Sequence, residues 1–228
     1  MKASKEQSNL KSFRRRTRLR RKCLDKRYGR ELTDRVVEEA DKEYSSLLSE
    51  IDALPKGMMN GALAGTCEYL AYAKALAREG RSAEEIGLFF DESYDVLVSR
   101  FPRFLGPLVF RLARPLIKAR LRKEAAQSQA LPETEGGWRF EFLEAEKGSH
   151  DFGFDVKSCA VCELFSKHDA EEVLPYLCAL DDKMSELMGM GLRRSGTRAL
   201  GASCCDFRYQ AGAEPRPLRS EAALPVVD

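Results

Sequence analysis

The chain has 228 residues, 43% hydrophobic and 32% charged, with 38 Lys and Arg against 36 Asp and Glu. That is enough apolar material for a real core, and it does not fit collagen, a coiled coil or a fully disordered chain. Its longest stretch without a charged residue, Gly57 to Cys67, is eleven residues, well short of the roughly 20 that a membrane-spanning helix needs.

The charge is segregated along the chain. Residues 1–30 hold 13 basic and 2 acidic side chains, net +11, which leaves a net of −9 for the remainder. Between Phe13 and Lys22 there are too few apolar side chains to bury a face, so residues 1–30 read as a basic, flexible arm, solvated or frayed. Two sharper readings are an electrostatic arm for nucleic acid or anionic lipid and an Arg-rich transit peptide. No apolar run follows the basic residues, so no secretory signal is expected. Seven cysteines in such a chain predict free thiols in a reducing, cytoplasmic setting.

Residues 31–124 read as a helical region. From Glu31 to Leu54, Leu32, Val36, Val37, Ala40, Tyr44, Leu47, Leu48 and Ile51 recur at spacings of three and four, the stripe of an amphipathic helix, closed by Pro55-Lys56-Gly57. A second helix is expected over Gly61–Arg78, closed by Gly80. Ser82 and Glu85 have capping-box spacing and open a third helix, from about Ala83 to Arg100. Residues 100–123 are basic with no acidic residue. The stretch reads as a helix with a core side and a wet side, with a membrane-surface or partner-binding helix as the alternative. Pro102, Pro107 and Pro115 predict short bent segments.

Residues 125–137 read as a linker. The period then changes from 3.6 to 2. Trp138, Phe140 and Phe142, then Phe152, Phe154 and Val156, alternate with polar residues, giving two strands joined by a turn at Lys147-Gly148-Ser149. A helix is expected over Ser158–Lys167. Asp169 and Glu172 have cap spacing for another, which Pro175 should kink. A Gly-rich strand over Met190–Ala199 and a last strand over Cys205–Tyr209 complete an α+β region spanning 138–211. Residues 212–228 read as a flexible tail. The fold class is α+β: an N-terminal helical part packed with an antiparallel sheet and its covering helices.

Five of the seven cysteines lie between 159 and 205. Their surroundings are Cys159-x-x-Cys162, Ala170-Glu171-Glu172-Val173-Leu174-Pro175-Tyr176-Leu177-Cys178-x-x-Asp181 and Cys205-Asp206-Phe207-Arg208. Together with Trp138–Phe142, Asp151–Asp155 and Gly191–Thr197, these segments resemble the L-2-amino-thiazoline-4-carboxylic acid hydrolase family. The resemblance is strong over about residues 135–210 and extends to the helices of 31–100 only in general layout. It implies a hydrolase that opens a five-membered cyclic isothiourea bearing a carboxylate. Water adds at the carbon between sulfur and nitrogen, the ring C–S bond breaks, and N-carbamoyl-cysteine results.

Such chemistry needs a nucleophile or activated water, an acid for the leaving thiolate, and a cation for the carboxylate. Cys162, Cys178 and Cys205 are the candidate thiols, Asp181 and Asp206 the proton-handling groups, and Arg194 and Arg208 the carboxylate holders. Cys178 and Asp181, three apart on a predicted helix, share a face. On the last strand Cys205 joins Phe207 and Tyr209, with Asp206 and Arg208 opposite. The plainer alternatives are cysteines buried as small hydrophobes, which fits Cys23, Cys67 and Cys204 best. For Asp206, Arg194 and Arg208 the plainer role is cross-strand charge pairing.

No cofactor is expected. A zinc site is the alternative, with Cys159 and Cys162 as half a knuckle and Cys178, Cys205 or His168 completing it. In that case the region is a non-catalytic small-molecule- or metal-binding sensor. No βαβ pattern precedes Cys159-x-x-Cys162, which disfavours a thioredoxin-like role. His150 and His168 read as surface residues. There is no phosphate-cradling glycine loop, no G-x-S-x-G elbow and no clear nucleic-acid motif.

Overall fold

Helix α1 (Lys2–Ile51) contains one residue outside helical backbone, Gly29, at φ 78 and ψ 168. A side chain is strained at that positive φ and glycine is not. The chain reverses there. Arg14 donates twice to Asp41 at 2.7 Å, Arg21 pairs with Asp34, and the rings of Phe13 and Tyr44 stack at 4.3 Å. A straight helix would hold residues 14 and 41 about 40 Å apart at 1.5 Å per residue. α1 is therefore a helical hairpin, with arms 2–28 and 30–51. The computed structural model describes residues 2–51, 57–130, 137–214 and 216, which form two units, Met1–Arg100 and Phe101–Asp228.

In the first unit the α1 hairpin packs with α2 (Met58–Arg78) and α3 (Ala83–Val98) as a bundle. The second α1 arm supplies the expected apolar stripe, with Val36, Ala40, Tyr44, Leu47 and Leu48 buried. The capping box at α3 is complete: Ser82 Oγ accepts from the Glu85 amide at 3.2 Å, and Glu85 accepts from the Ser82 amide at 3.0 Å.

The first arm departs from the solvated arm that its composition suggests. Phe13, Thr17, Arg20, Cys23 and Leu24 form a buried stripe at helical spacing. Two of these positions are polar, so a count of apolar residues misses the face. Each is buried with a partner. Tyr72 donates to Thr17 at 2.8 Å. Arg20 binds Glu68 at 2.6 Å and lies over the rings of Tyr69 and Tyr72 at 5.1 and 5.3 Å. Arg16 pairs with the same Glu68. A buried charge persists only when paired in this way.

The second unit begins with α4 (Leu105–Gln129), a single helix where three prolines suggested bent segments. Pro102 precedes it and Pro107 sits in its first turn, where no intrahelical donor is lost. Pro115 lies inside but on the exposed side, so the carbonyl it leaves unbonded can face solvent. The helix also takes in residues 125–129 of the expected linker. Residues 131–136 lie outside the described residues, as does most of the 212–228 tail.

Strands β1 (Arg139–Leu143), β2 (Phe152–Ser158), β3 (Leu192–Arg193) and β4 (Cys205–Tyr209) form an antiparallel sheet in the order β1-β2-β4-β3. The register places Phe140 opposite Val156, Phe154 opposite Phe207, and both Phe152 and Leu192 opposite Tyr209. One face is thus apolar and aromatic. Phe154 and Phe207 stack at 4.7 Å, Phe152 and Tyr209 at 5.0 Å. α4 packs along β1 and against α6 (Leu174–Met188). At Gly106 an added Cβ would lie 1.9 Å from the Leu187 carbonyl oxygen, so only glycine permits that approach. The fold is α+β, and no helix of the described residues is long and apolar enough to cross a membrane.

Three local expectations change. Asp169 does not cap a helix; at φ 53 it follows α5 (Ala160–Lys167) in left-handed backbone. α6 starts at Leu174 with Pro175 in its first turn, so proline initiates this helix rather than kinking it. The strand expected over 190–199 shrinks to two residues, followed by a 3-10 turn at Arg198–Leu200. Phe13→Ala should destabilise the first unit by about 3–5 kcal/mol, as aromatic truncation in a core does. Urea unfolding followed by circular dichroism will measure it; an unchanged midpoint would mean that the first arm is not packed.

Candidate active site

Four cysteines converge from three elements of the second unit. Cys159 is the N-cap of α5, in extended backbone, and Cys162 lies in that helix's first turn, where unbonded amides and the helix dipole favour negative charge. The two thiols hydrogen-bond to each other, and the Cys159 sulfur also meets the amides of Val161 and Cys162. The bond from Cys159 holds Cys162 below the usual thiol range against its burial, and Cys159 is held far above it. Of the two, Cys162 gives up its proton before Cys159 does.

Cys178 on α6 and Cys205 on β4 complete the group. Cys162 feels the charges of Cys178, Cys205 and Arg198, and Cys178 those of Asp181, Cys159, Arg194 and Cys205. Burial pushes Cys178 well up and Cys205 up to about 11. The Cys205 sulfur accepts from the Arg198 amide at 3.1 Å. Near neutral pH, Cys162 is the member closest to being a thiolate, the form in which cysteine attacks.

Asp181 stands one helical turn beyond Cys178. Burial pushes its carboxyl up to about 6, against the attraction of Arg194. The Asp181 side chain keeps 49% of its accessible surface. Arg194 is only 1% exposed. It donates to Asp181 and Asp182 at 3.0 Å and to the Cys178 carbonyl at 3.2 Å, and lies over the Phe207 ring at 5.2 Å. Its two terminal nitrogens are thus engaged. Its Nε, Asp182 Oδ1 and Thr197 Oγ1 are buried with no protein hydrogen-bond partner, and buried polar atoms seldom stay so.

The other two candidates lie on the opposite face of β4. Asp206 accepts from the Ser195 amide at 2.9 and 3.0 Å, the Gly196 amide at 3.0 Å and the Ser195 hydroxyl at 2.7 Å. Burial opposes its charge, but those bonds outweigh it and hold the carboxyl below the usual range. Asp206 therefore fixes the loop that carries Arg194. Arg208 donates to Asp155 at 2.7 Å, a cross-strand pair on that face. The structure thus brings together Cys159, Cys162, Cys178, Cys205, Asp181 and Arg194, and sets Asp206 and Arg208 apart.

Reading the sequence passed over Arg198. It is exposed, its charge acts on Cys162, and its guanidinium has one donor on the Ser203 carbonyl. It lies one residue beyond the Gly191–Thr197 segment, and nothing in its spacing marks it. His150 is buried, not solvated, with Ser149 Oγ 2.9 Å from its Nδ1. His168 ends α5. All seven cysteines are free. A four-thiolate zinc site would need the sulfurs to meet at one point. Among the described residues, no three His, Cys, Asp or Glu are arranged to hold a metal ion.

Two outcomes follow from these environments. With iodoacetamide at pH 7, Cys162 should alkylate first and the fully buried Cys67, raised to about 12, last; peptide mapping that found the reverse order would refute the thiolate assignment. For Asp181 the folded value of about 6 exceeds the ordinary 3.8, so its ionised form opposes folding. That opposition is absent below pH 3.8 and grows as pH rises through 6. Asp181→Asn should therefore raise the melting temperature at pH 8 and leave it unchanged near pH 4.

The family model described as L-2-amino-thiazoline-4-carboxylic acid hydrolase matches residues 71–209. That span takes in the end of α2, all of α3 and every element of the thiol cluster. No curated protein and no solved structure matched the chain. The match covers more than half of the sequence and coincides with the segments that build the cluster, and the chain belongs to the L-2-amino-thiazoline-4-carboxylic acid hydrolase family.

Proposed function

We propose that the chain is a thiol-dependent hydrolase that opens a small cyclic isothiourea bearing a carboxylate. The observation that carries this reading is the thiol cluster: Cys162, in the first turn of α5, lies within reach of the charges of Cys178 and Cys205, and Asp181 stands one helical turn beyond Cys178, held by Arg194 at 3.0 Å. Catalysts for acid–base work at pH 7 need groups tuned to that range. The family membership supports the reaction class.

The Cys162 thiolate adds to the carbon between ring sulfur and nitrogen. The ring C–S bond breaks, and neutral Asp181 gives its proton to the leaving sulfur. This leaves an S-linked isothiourea on Cys162. The Asp181 carboxylate then takes a proton from water, whose oxygen attacks the same carbon. The carbon–Cys162 bond breaks, releasing the carbamoyl product and restoring the thiolate. One water is consumed and no redox partner is needed. Arg194 holds Asp181 in place through its 3.0 Å bond. The exposed Arg198 is the cation offered to the substrate carboxylate, since Arg194 is buried and Arg208 lies on the other face of the sheet.

Incubation with L-2-amino-thiazoline-4-carboxylate should release a free thiol and N-carbamoyl-cysteine, read by thiol titration and mass spectrometry. Cys162→Ser should abolish turnover, and Arg198→Ala should raise KM more than it lowers kcat. Asp181→Asn should lower kcat by about a hundredfold or more and remove a limb near pH 6 from the rate profile. Full turnover in Cys162→Ser would discard the covalent route.

A further inference from the structure

We propose that the outer face of α4 docks the protein on an anionic lipid surface. Seven large hydrophobic side chains are exposed among the described residues, and Phe104, Leu108, Val109, Leu112 and Leu116 form one group at the start and along the length of α4. Phe104 is 79% and Leu112 73% exposed. Positions 104, 108, 112 and 116 recur every four residues, and the exposed Pro115 and Ala119 extend the same side. The stripe is about 23 Å long at 1.5 Å per residue.

The orientation of the helix is fixed by its other side. Gly106, Phe110, Leu121, Ala125 and Ser128 are buried, Phe110 lies against Phe152, and Ser128 bonds to the Phe140 backbone. Rotating the helix to hide Leu112 would expose this face. The stripe therefore has no task in the fold of its unit. Patches of this kind on soluble surfaces mark interaction sites.

Charge selects the partner. Residues 100–123 contain no Asp or Glu. Arg103, Arg111, Arg120 and Lys123 are exposed around the stripe. A second copy of the chain meeting this face would set like charges against each other, with no acid in the segment to answer them. A nucleic acid would answer the charge but leave the leucines without an apolar layer. An anionic bilayer supplies both, negative headgroups at the rim and acyl chains under the stripe. A helix with apolar and basic sides lies in that interface, and each basic residue near an anionic leaflet adds attraction. The stripe shares no residue with the thiol cluster, and the inference does not rest on the proposed reaction.

The test is co-sedimentation of the full chain with vesicles of phosphatidylcholine alone and of phosphatidylcholine mixed with phosphatidylglycerol. Binding is expected to the mixed vesicles, to weaken in high salt, and to fall about tenfold or more in Leu108→Asp/Leu112→Asp, since burying two leucines contributes that much or more. Arg111→Glu/Arg120→Glu should weaken it similarly. All four side chains are exposed, and unchanged melting curves will confirm that the variants fold. Failure of the wild type to bind mixed vesicles overturns the proposal. So does binding unchanged in the leucine variant, which would move the lipid contact to the basic first arm of α1. A dimer in sedimentation that Leu108→Asp/Leu112→Asp dissolves, without vesicle binding, would assign the stripe to a second copy. Retention of duplex DNA by wild type and leucine variant alike, again without vesicle binding, would assign the basic rim to nucleic acid.

Discussion

Strand β4 holds the same loop from both of its faces, and the site depends on that grip. Inward, the Cys205 sulfur takes the Arg198 amide. Outward, Asp206 takes the Ser195 and Gly196 amides and the Ser195 hydroxyl. Residues 195–198 are thereby fixed at four points on two faces of one strand. Arg194, just before them, is aimed across the sheet to α6, where it meets Asp181, Asp182 and the Cys178 carbonyl. Two adjacent residues of opposite direction, a thiol and a carboxylate, turn a five-residue strand into the mount for a loop, an arginine and a helix.

That arrangement separates reactive groups from those that position them. The charge-bearing side chains of the polar face, Asp206, Arg208 and Asp155, are spent on each other and on the loop. The thiols on the other face have few such partners, and burial sets their proton affinities: high for Cys178 and Cys205, low only where Cys159 bonds to Cys162. One acidified thiol among four follows from the bond that Cys159, at the cap of α5, makes to Cys162, and from the burial of Cys178 and Cys205.

Period and capping made much of the fold legible. The alternation at 138–142 and 152–156, the Ser82–Glu85 box and the face assignments on β4 all appear where the pattern puts them. The first α1 arm was not legible, because Thr17 and Arg20 occupy core positions through pairing with Tyr72 and Glu68. Those partners lie about 50 residues away, and no local pattern can show them. Proline was over-read as a breaker at 107 and 175, since its effect depends on where the first turn begins. At the site, the motifs singled out the thiols and Asp181 as candidates. They did not show that Arg208 serves the far face or that the charge of Arg198 reaches Cys162, because both depend on strand register and loop path.

The reversal at Gly29 bears on the order in which the chain folds. It makes the first long-range pairings of the molecule local ones: Arg21 with Asp34, Arg14 with Asp41 and Phe13 with Tyr44 close loops of at most about thirty residues around one turn. In the second unit, β2 must find β4 across roughly fifty residues before the thiols come together. Loop closure costs more as the separation grows, and helical hairpins form well ahead of distant strand pairs. The first arm, synthesised ahead of the second unit, acquires its hairpin partner before the residues that build the thiol cluster exist. Early pairing of Arg14 and Arg21 with acids of the second arm also neutralises part of a nascent segment carrying +11.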